Sequence, residues 1–519
     1  GGRLQQLTYP DGSVADYVRD SLGRISEIGL TRPGQARQVV VNNLMYAPFG
    51  PATGWTYGDG RQLIRPVDHN YRLERIWDVG QDGLSLGFTY DPVGAITELK
   101  TADGSASLAQ FGYDGMGRLT QTKDGPSGTV IEAYDYDPTG NRMGMTSNAG
   151  TQVYTYAPGS HRLTGVDGEA RNHDPAGNTT SIGSREYVYN DANRLRQAKQ
   201  GGAVLESYLY NHRGERIQRE PTGGDAQLTV YDEAGQWLGN YSSTGQALQQ
   251  AIWLDNYPVA LINASAAGVP EVAYIQPDHL GTPRVVIDPV RNLSIWQWSS
   301  KSEVFGNQAP NGDPDGDGVT FELALRFPGQ QATDASGLFY NYQREYEPAV
   351  GRYSQSDPIG LRGGISTYAY VKGNPISSID PLGLETCLLT TLATGRIRDH
   401  AAIFTDEGDG SGGPALYDPA GEYGRQNGAG EGGLLVGEAA SISGFMEFHG
   451  ASKVEKSCKS TTRAEEESII DKAMSLPSAA PFQCSIMASS ALQGHPSFPH
   501  VEAGTFFPGN LRKQVRKEK

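Results

Sequence analysis

Two aspartates in the same five-residue setting are the first residues that could do chemistry together. The pentapeptide Asp-Pro-x-Gly-Leu occurs at Asp357 and again at Asp380. Two carboxyl groups brought close together cannot both ionise cheaply, so they share a proton, and one can act as a base while the other acts as an acid. This is the chemistry of an aspartic protease. The spacing alone also allows the simpler interpretation that each Asp-Pro-x-Gly is an Asp-capped turn.

A second set of reactive residues lies in the C-terminal segment, 385–519. His400 opens an apolar strand, "HAAIF", Asp418 ends the next one, "ALYDP", and Cys484 begins an apolar helix, "CSIMASSAL". A helix N-terminus and a nearby imidazole both favour a thiolate, and a third polar group fixes the imidazole tautomer. The pattern predicts Cys484 as nucleophile, His400 as general base and Asp418 as the orienting group. The alternative is a buried structural cysteine and a strand histidine without a catalytic role.

Two other motifs are interpreted as structural. The segment "NGDPDGDGVTFE" places Asp313, Asp315 and Asp317 as at the start of a calcium loop, but the twelfth position is Ala324 instead of Glu. We therefore interpret it as a polar turn. His279 in "PDHLGTPR" has no nucleophile beside it in the sequence. Neither a metal nor a cofactor is expected.

An internal sequence repeat predicts the secondary structure that comes before these residues in the chain. Segments such as "FTYDPVGAITEL", "FGYDGMGRLTQT" and "YDYDPTGNRMGM" share an aromatic-x-Tyr-Asp start, a Gly or Asn turn and a polar–apolar alternation. Each unit predicts one β-hairpin, in which Asp or Asn caps the turn and Gly supplies a positive φ. A lone hairpin cannot bury its face, so the units must stack into a continuous sheet. The second aromatic residue of the seven clearest units is Tyr90, Tyr113, Tyr136, Tyr156, Tyr189, Tyr210 and Tyr231.

The composition agrees with strands and tight turns. The 519 residues include 67 glycines, 30 prolines and 27 tyrosines against 14 phenylalanines, which favours short strands over long helices. The net charge of −16 argues against a nucleic-acid coat, so nucleic acid is not expected as a partner. No apolar run reaches the roughly 18 residues of a membrane span. Three cysteines, Cys387, Cys458 and Cys484, make no disulfide framework.

The repeats resemble the YD repeats of the Rhs family, which is related to the C components of insecticidal toxin complexes. The resemblance continues through "YIQPDHLGTPRVVID" (274–288), "LRFPGQQATDASGLFYNYQREYEPAVGRYSQSDPIG" (325–360) and "YAYVKGNPISSIDPLGL" (368–384). It implies a mostly β fold, in which the repeats wind into a hollow β-solenoid shell around a toxic C-terminal domain. The domains implied in this chain are an N-terminally incomplete shell over 1–290, a plug over 291–384 and a toxin domain over 385–519.

The same resemblance implies roles for residues near the end of the plug. Asp357 and Asp380 correspond to an autoproteolytic pair that cuts after the second pentapeptide, here at Leu384–Glu385. The assisting arginine of the family falls at Arg344 in "YNYQREYEP". The implied partners are the chain's own C-terminal fragment, a cognate immunity protein and a spike or adaptor protein of a secretion system. The implied route is synthesis in the cytoplasm of a Gram-negative bacterium and delivery into a rival cell by type VI secretion or a similar system.

The C-terminal domain resembles a second family over a shorter stretch. Its order His, Asp, Cys and its segments "FQCSIMASSALQG" and "TFFPGNLRK" are similar to circularly permuted papain-like domains of the NlpC type. That resemblance implies an α+β fold and a peptidase, amidase, deamidase or acyltransferase. A nuclease is the main alternative, since nucleases are frequent on Rhs shells and the tail "LRKQVRKEK" is basic, although no His-Asn-His or paired-acid cluster is present. An ADP-ribosyltransferase or a non-enzymatic adhesive shell would also be compatible with the Rhs resemblance.

Overall fold

The chain forms two compact units in a computed structural model. Residues 3–48, 51–301, 304–333, 335–358 and 365–381 are described, and beyond them 386–391, 401–405, 415–418, 434–436, 440, 454–459, 463–475, 484–493, 495, 497–498 and 501. The first unit consists of Gly1–Asp232, Gln236–Ser356 and Ser366–Ile379. The second unit consists of Glu233–Gly235, Asp357–Ile365 and Asp380–Lys519.

The first unit is built on one antiparallel meander. Among the described residues this sheet has 28 strands, and each strand pairs antiparallel with the next one along the chain. This arrangement confirms the mostly β fold that the repeat predicts. The strands are β1 (Gln6–Thr8), β2 (Val14–Arg19), β3 (Ile25–Thr31), β4 (Gln38–Tyr46), β5 (Ala52–Tyr57), β6 (Gln62–Ile64), β7 (Arg75–Asp78), β8 (Ser85–Tyr90), β9 (Ile96–Lys100), β10 (Ser107–Tyr113), β11 (Leu119–Asp124), β12 (Val130–Tyr136), β13 (Arg142–Ser147), β14 (Gly150–Tyr156), β15 (Leu163–Val166), β16 (Glu169–His173), β17 (Thr179–Ile182), β18 (Arg185–Tyr189), β19 (Leu195–Gln200), β20 (Ala203–Tyr210), β21 (Arg216–Pro221), β22 (Gln227–Tyr231), β23 (Trp237–Ser242), β24 (Ala247–Leu254), β25 (Tyr257–Asn263), β26 (Val272–Pro277), β27 (Pro283–Asp288) and β28 (Leu293–Gln297).

Each sequence repeat is one hairpin of this meander. The second aromatic residue of a repeat is the last residue of the first strand in its hairpin, so that Tyr90 ends β8 and Tyr113 ends β10. A less regular copy of the repeat, "NHDPAGNTTSI" (172–182), contributes the hairpin of β16 and β17. The prediction of one hairpin per repeat is therefore confirmed. The other strands that end on the repeat tyrosine are β12, β14, β18, β20 and β22.

The aspartate after the tyrosine closes the turn of each hairpin. In the β8–β9 turn, the N–H of Asp91 donates to the carbonyl of Ala95 (2.9 Å), and the N–H of Gly94 donates to the carbonyl of Asp91 (3.1 Å). The Asp91 carboxylate accepts hydrogen bonds from the N–H groups of Val93 and Ala95, both at 2.9 Å. Gly94 has a φ of +96°, which glycine adopts without the steric cost of a Cβ. The same pair of side-chain bonds recurs at Asp20, Asp68, Asp114, Asp137, Asn190, Asn211 and Asp278.

The repeat tyrosine connects its hairpin to the preceding one. The Tyr113 hydroxyl donates to the carbonyl of Ile96 at 2.6 Å, and Ile96 opens the second strand of the hairpin before it. A buried backbone carbonyl thereby gains a hydrogen bond beyond those of the strand ladder. Equivalent bonds of 2.7–3.1 Å join Tyr46 to Ile25, Tyr90 to Leu73, Tyr156 to Arg142, Tyr210 to Leu195 and Tyr231 to Arg216.

The two ends of the meander pack face to face within the first unit. Their shared core contains apolar residues of β1–β8 and of β23–β27. The Tyr57 hydroxyl donates to the carbonyl of Ile275 at 2.6 Å across this core. Arg61 and Asp78 form a buried ion pair of 2.6 Å, and Gln276 from the far end of the meander also donates to Asp78. A paired and hydrogen-bonded ion pair can be buried at an acceptable cost, whereas either charge alone could not.

A smaller sheet of the first unit packs on the meander. It has four antiparallel strands among the described residues, and a one-turn 3₁₀ helix (Val371–Gly373) follows it in the chain. The hydroxyl of Tyr187 in β18 donates to the carbonyl of Ser336 at 2.8 Å, and Arg216 of β21 donates to Thr333 at 2.8 Å. The strands are β29 (Gln331–Thr333), β30 (Leu338–Asn341), β31 (Arg344–Glu347) and β32 (Arg352–Tyr353).

The second unit combines a sheet with two helices. Its described strands are antiparallel in the order β36-β35-β34-β33-β37. Ile403 and Tyr417 from the sheet share a buried core with Ile469 and Leu492 from the helices. None of the helices in the described part of the chain is long and apolar enough to cross a membrane. The elements are β33 (Thr386–Thr391), β34 (Ala401–Thr405), β35 (Ala415–Tyr417), β36 (Leu434–Val436), β37 (Val454–Lys459), α1 (Arg463–Ser475) and α2 (Cys484–Leu492).

The tyrosine bond between hairpins predicts a specific loss of stability. Tyr113→Phe removes the hydroxyl that donates to Ile96, and we expect it to lower the free energy of unfolding by about 1 kcal/mol. Tyr154→Phe is the matched control, since the buried Tyr154 hydroxyl has no hydrogen-bond partner among the described residues. Urea unfolding followed by tryptophan fluorescence measures both. Equal losses in the two variants would contradict a contribution from the hydrogen bond.

A buried carboxyl in the small sheet predicts a pH dependence. Glu345 is 2% exposed, and its Oε1 lies 3.7 Å from Nη1 of Arg216. Burial raises the pKa of Glu345 from 4.5 to about 7, although the Arg216 charge opposes this. A raised carboxyl pKa favours the protonated folded state, so the contribution of Glu345 to stability is fully present below pH 4.5 and is lost as the pH rises through 7, by about 3 kcal/mol in total.

Glu345→Gln mimics the protonated carboxyl and should remove most of this pH dependence. We expect wild type and variant to unfold at similar urea concentrations at pH 5, with the variant the more stable at pH 8. Glu220→Gln, an exposed change on β21, is the control and should follow the wild type at both pH values. A wild type as stable at pH 8 as at pH 5 would refute the assignment.

Candidate functional site

The two repeated aspartates are both buried and both belong to the second unit. Asp357 is 8% exposed and Asp380 is 9% exposed, and the unit also contains residues 380–519. A buried carboxyl needs either a proton or hydrogen-bonded partners, because an isolated charge is costly away from water. The expected scissile residues, Leu384 and Glu385, lie outside the described residues.

Arg344 is the first residue of β31 in the first unit and is 3% exposed. Its guanidinium carbon lies 3.6 Å from the centre of the Tyr353 ring, and Nη1 donates to the carbonyl of Thr367 at 3.5 Å. The ladder pairs Asn341 with Arg344 across a tight turn, in which Tyr342 has a φ of +55°. A guanidinium keeps its charge when buried, so the strand holds a fixed positive charge at this position.

The three residues predicted for cysteine chemistry all fall in the second unit. Cys484 is the first residue of α2, as predicted, so its backbone position is the N-terminal end of a helix. Asp418 directly follows β35 and is fully buried. His400 precedes β34 and lies outside the described residues. The ladder pairs Ile403 with Tyr417, so β34 runs beside the strand that leads into Asp418.

Helix α2 packs on the strand that follows His400. Ala488 and Leu492 of α2 share a buried core with Ile403 of β34. This packing places the helix that begins at Cys484 against the sheet that carries Asp418. The predicted site needs a strand beside the histidine, a neighbouring strand that leads to a polar residue, and a helix that begins at the cysteine. The described elements have this order.

His495 is a buried histidine that the sequence analysis did not select. It is 8% exposed and lies just beyond the last turn of α2, where its N–H donates to the carbonyl of Leu492. At about 1.5 Å of rise per residue, the helix separates this position from Cys484 by more than 12 Å. His495 is therefore at the wrong end of the helix to act as the base for that thiol.

Glu466 is a second buried polar residue that sequence reasoning missed. It is 1% exposed within α1. A signal was present, because Ile469, Ile470 and Ala473 follow at intervals of three, four and seven residues and are all buried. That spacing places Glu466 on the core face of the helix. Its two neighbours in the run "EEE" hid the pattern.

His279 has a structural environment in the first unit. Its Nε2 donates to the carbonyl of Ile376 at 2.7 Å, and its ring meets the edge of Phe88 at 4.9 Å between centres. Burial lowers the pKa of His279, so the ring is neutral near pH 7. These contacts agree with the interpretation that His279 packs and orients a loop.

The acidic turn at 313–317 lies beside an arginine. One oxygen from each of Asp313, Asp315 and Asp317 lies within 4.8 Å of the others. Nη1 of Arg291 is 2.8 Å from Asp315 and 2.5 Å from Asp317, and its Nε is 2.7 Å from Asp288. The guanidinium offsets part of the negative charge of Asp315 and Asp317.

Comparison with known proteins gives relatives among bacterial toxins. The chain is 33% identical over 156 residues to "Toxin protein Tse5" of Pseudomonas aeruginosa, a match that covers 30% of this chain and 11% of the relative. It is 27% identical over 426 residues to "Double-stranded DNA deaminase toxin A" of Burkholderia cenocepacia, which covers 74% of this chain and 27% of the relative. The chain thus spans between about a tenth and somewhat over a quarter of these two relatives.

The solved structures and the family models agree on the fold. The crystal structure of TcdB2-TccC3 without its hypervariable C-terminal region matches with a TM-score of 0.60 and 20% identity, over 74% of this chain and 21% of that one. The family model described as the Teneurin YD-shell matches residues 65–361, more than half of the chain. Those residues hold most of the tyrosine-linked hairpins, the small sheet and Asp357. The chain therefore belongs to the Teneurin YD-shell family.

Proposed function

We propose that this chain is part of an Rhs-type antibacterial toxin, whose YD-repeat shell encloses and releases its own C-terminal effector. The observation that carries the proposal is the division of the chain: a tyrosine-linked meander forms one unit, and residues 380–519 form another with a core of their own. Relatives named as toxins support it. Delivery into a rival cell by a secretion system, with an immunity protein in the producer, belongs to the same proposal.

The release step is proposed as self-cleavage at Leu384–Glu385 by Asp357 and Asp380. One carboxylate takes a proton from water while the other donates its proton to the scissile carbonyl, so that hydroxide adds to the carbonyl carbon. The carboxyl that took the proton from water then donates it to the leaving nitrogen, the other carboxylate recovers its proton from the adduct, and the adduct collapses and expels the amine. The products are a carboxylate at Leu384 and a new N-terminus at Glu385. Burial of both aspartates in one unit supports this pairing, and Arg344 is proposed as the assisting cation.

Self-cleavage predicts two fragments on a denaturing gel, and the smaller one consists of residues 385–519. Asp357→Asn and Asp380→Asn should each leave a single full-length band, because an amide can neither take up nor donate the required proton. Asp191→Asn, an exposed change in a repeat turn, is the control and should cleave normally. Arg344→Ala should slow the cut. Normal cleavage at Leu384 in both aspartate variants would exclude the aspartyl mechanism.

The effector is proposed to be a cysteine hydrolase with Cys484, His400 and Asp418 as its triad. The helix N-terminus at Cys484 favours the thiolate. The thiolate attacks an amide or ester carbonyl, the protonated imidazole of His400 donates to the leaving group, and water then hydrolyses the acyl-enzyme. Asp418 would hold the imidazole in the required tautomer. The placement of Asp418 after β35 and the packing of α2 on β34 support this assignment.

Toxicity should depend on the thiol and the imidazole. Expression of the full chain without its immunity protein should inhibit growth, and Cys484→Ala or His400→Ala should each abolish this effect while leaving self-cleavage intact. Asp418→Ala should weaken it less, since an orienting group contributes less than a nucleophile. Ser490→Ala, on the same helix, is the control, and equal protein levels are verified by immunoblot. Full toxicity of the Cys484→Ala protein would refute the cysteine mechanism.

An effector that acts on nucleic acid is the second candidate, favoured by the similarity to a double-stranded DNA deaminase toxin. The zinc deaminases use a H-x-E motif followed by P-C-x-x-C. Here the position three residues after Cys484 is Met487, so that thiol pair is not present. A nuclease remains open, and DNA breaks in cells that express the Cys484→Ala protein would support it.

A further inference from the structure

Two of the three cysteines are directly opposed in the sheet of the second unit. Strands β33 and β37 pair antiparallel, and the ladder runs from Thr386 opposite Lys459 to Thr391 opposite Val454. Within it Cys387 is the partner of Cys458. The two residues are far apart in the chain, so their proximity is a product of the fold. Cys484 begins α2 and is not part of this ladder.

Direct opposition satisfies the Cα separation that a disulfide requires. Opposed residues of an antiparallel pair have Cα atoms about 4.5 or about 5.5 Å apart, according to whether they are a non-hydrogen-bonded or a hydrogen-bonded pair. Both values fall within the range of about 4.4–6.8 Å that disulfides span. Opposed residues also share one face of the sheet, whereas a shift of one position places them on opposite faces. The register position alone therefore brings the two cysteines within bridging range.

We infer that Cys387 and Cys458 form an intramolecular disulfide when the protein meets an oxidising compartment. The oxidant is a small-molecule disulfide such as oxidised glutathione. The thiolate of one cysteine attacks this disulfide and expels one glutathione thiolate, and the second cysteine attacks the mixed disulfide and expels the other. Two thiols of the protein lose two electrons and two protons, and one glutathione disulfide becomes two glutathione thiols.

The disulfide would secure the first strand of the second unit's sheet. Strand β33 begins at Thr386, and the bridge would close a loop of about 70 residues between β33 and β37, which strongly restricts the unfolded chain. A disulfide between these positions also leaves Cys484 as the free thiol. If the chain is cut at Leu384–Glu385, which rests on the proposed function, β33 becomes the N-terminal strand of the released fragment, and the bridge would keep that strand in the sheet.

The test uses the full chain and does not depend on self-cleavage or toxicity. Purified protein is incubated with reduced or with oxidised glutathione, denatured, alkylated and weighed by mass spectrometry. We expect three alkylated thiols after reduction and one after oxidation, with a mass lower by about 2 Da before alkylation. Peptide mapping should link Cys387 to Cys458. Proteolysis of residues 385–519 should be about tenfold or more slower in the oxidised protein.

A shifted-thiol variant is the matched control. Cys458→Ser combined with Ser457→Cys keeps three thiols but moves one of them to the partner position of Leu388, on the other face of the ladder. This variant should form no intramolecular link in oxidised glutathione, so that each of its thiols is either alkylated or carries glutathione, and Cys484→Ser should still form the bridge. Three free thiols in the oxidised wild type, or a linkage to Cys484 or between two chains, would overturn the inference.

Discussion

One hydrogen bond recurs along the meander and links successive hairpins: it runs from a repeat tyrosine to a carbonyl at or just before the start of the second strand of the preceding hairpin, at Tyr90, Tyr113, Tyr156, Tyr210 and Tyr231. A β-hairpin of this length is marginal by itself, because its apolar face has nothing to cover it. Strand pairing joins neighbouring hairpins through their backbones, and the tyrosine adds a side-chain bond that reaches across the same junction. In Tyr90 and Tyr113 the bond is 2.6–2.7 Å. The ring buries apolar area while its hydroxyl satisfies a carbonyl, which phenylalanine could not do.

The residues that follow the tyrosine add further contacts between neighbouring hairpins. The aspartate fixes the turn through two backbone N–H groups, and in several repeats an arginine after the glycine pairs with that aspartate. Arg118 is 2.6 Å from Asp114, and its guanidinium lies 4.8 Å from the ring centre of Tyr136 in the next repeat. Arg24 likewise pairs with Asp20 and lies over the ring of Tyr46. Arg72 pairs with Asp68 and lies over the ring of Tyr90. Such exposed ion pairs contribute little energy alone, but here each orients an arginine that also covers an aromatic face.

Buried charged residues lie at the places where distant parts of the chain pack together. Arg61 and Asp78 sit where the two ends of the meander pack together, and Gln276 completes their hydrogen bonding. Glu345 and Arg216 lie where the small sheet meets the meander, at a longer separation of 3.7 Å, and Oε2 of Glu345 has no hydrogen-bond partner among the described residues. The first pair is fully satisfied and the second is not. This incomplete pairing agrees with the raised pKa of Glu345, whose burial the Arg216 charge only partly offsets.

The sequence by itself determined the local structure of this protein. Alternation of period two, with an aspartate and a glycine at fixed positions after a regularly recurring tyrosine, predicted hairpins whose strands end at the expected tyrosines. These features succeeded because turn chemistry and side-chain alternation act over a few residues. Only the tertiary structure decided which distant strands meet: Tyr57 with Ile275, Arg216 with Glu345, and Cys387 with Cys458. Long-range register depends on how whole sheets pack, and no pattern of neighbouring residues encodes it. The buried aspartates and Cys484 show both levels, since the sequence predicts their chemistry while the fold sets the burial of the aspartates and the place of all three in the second unit.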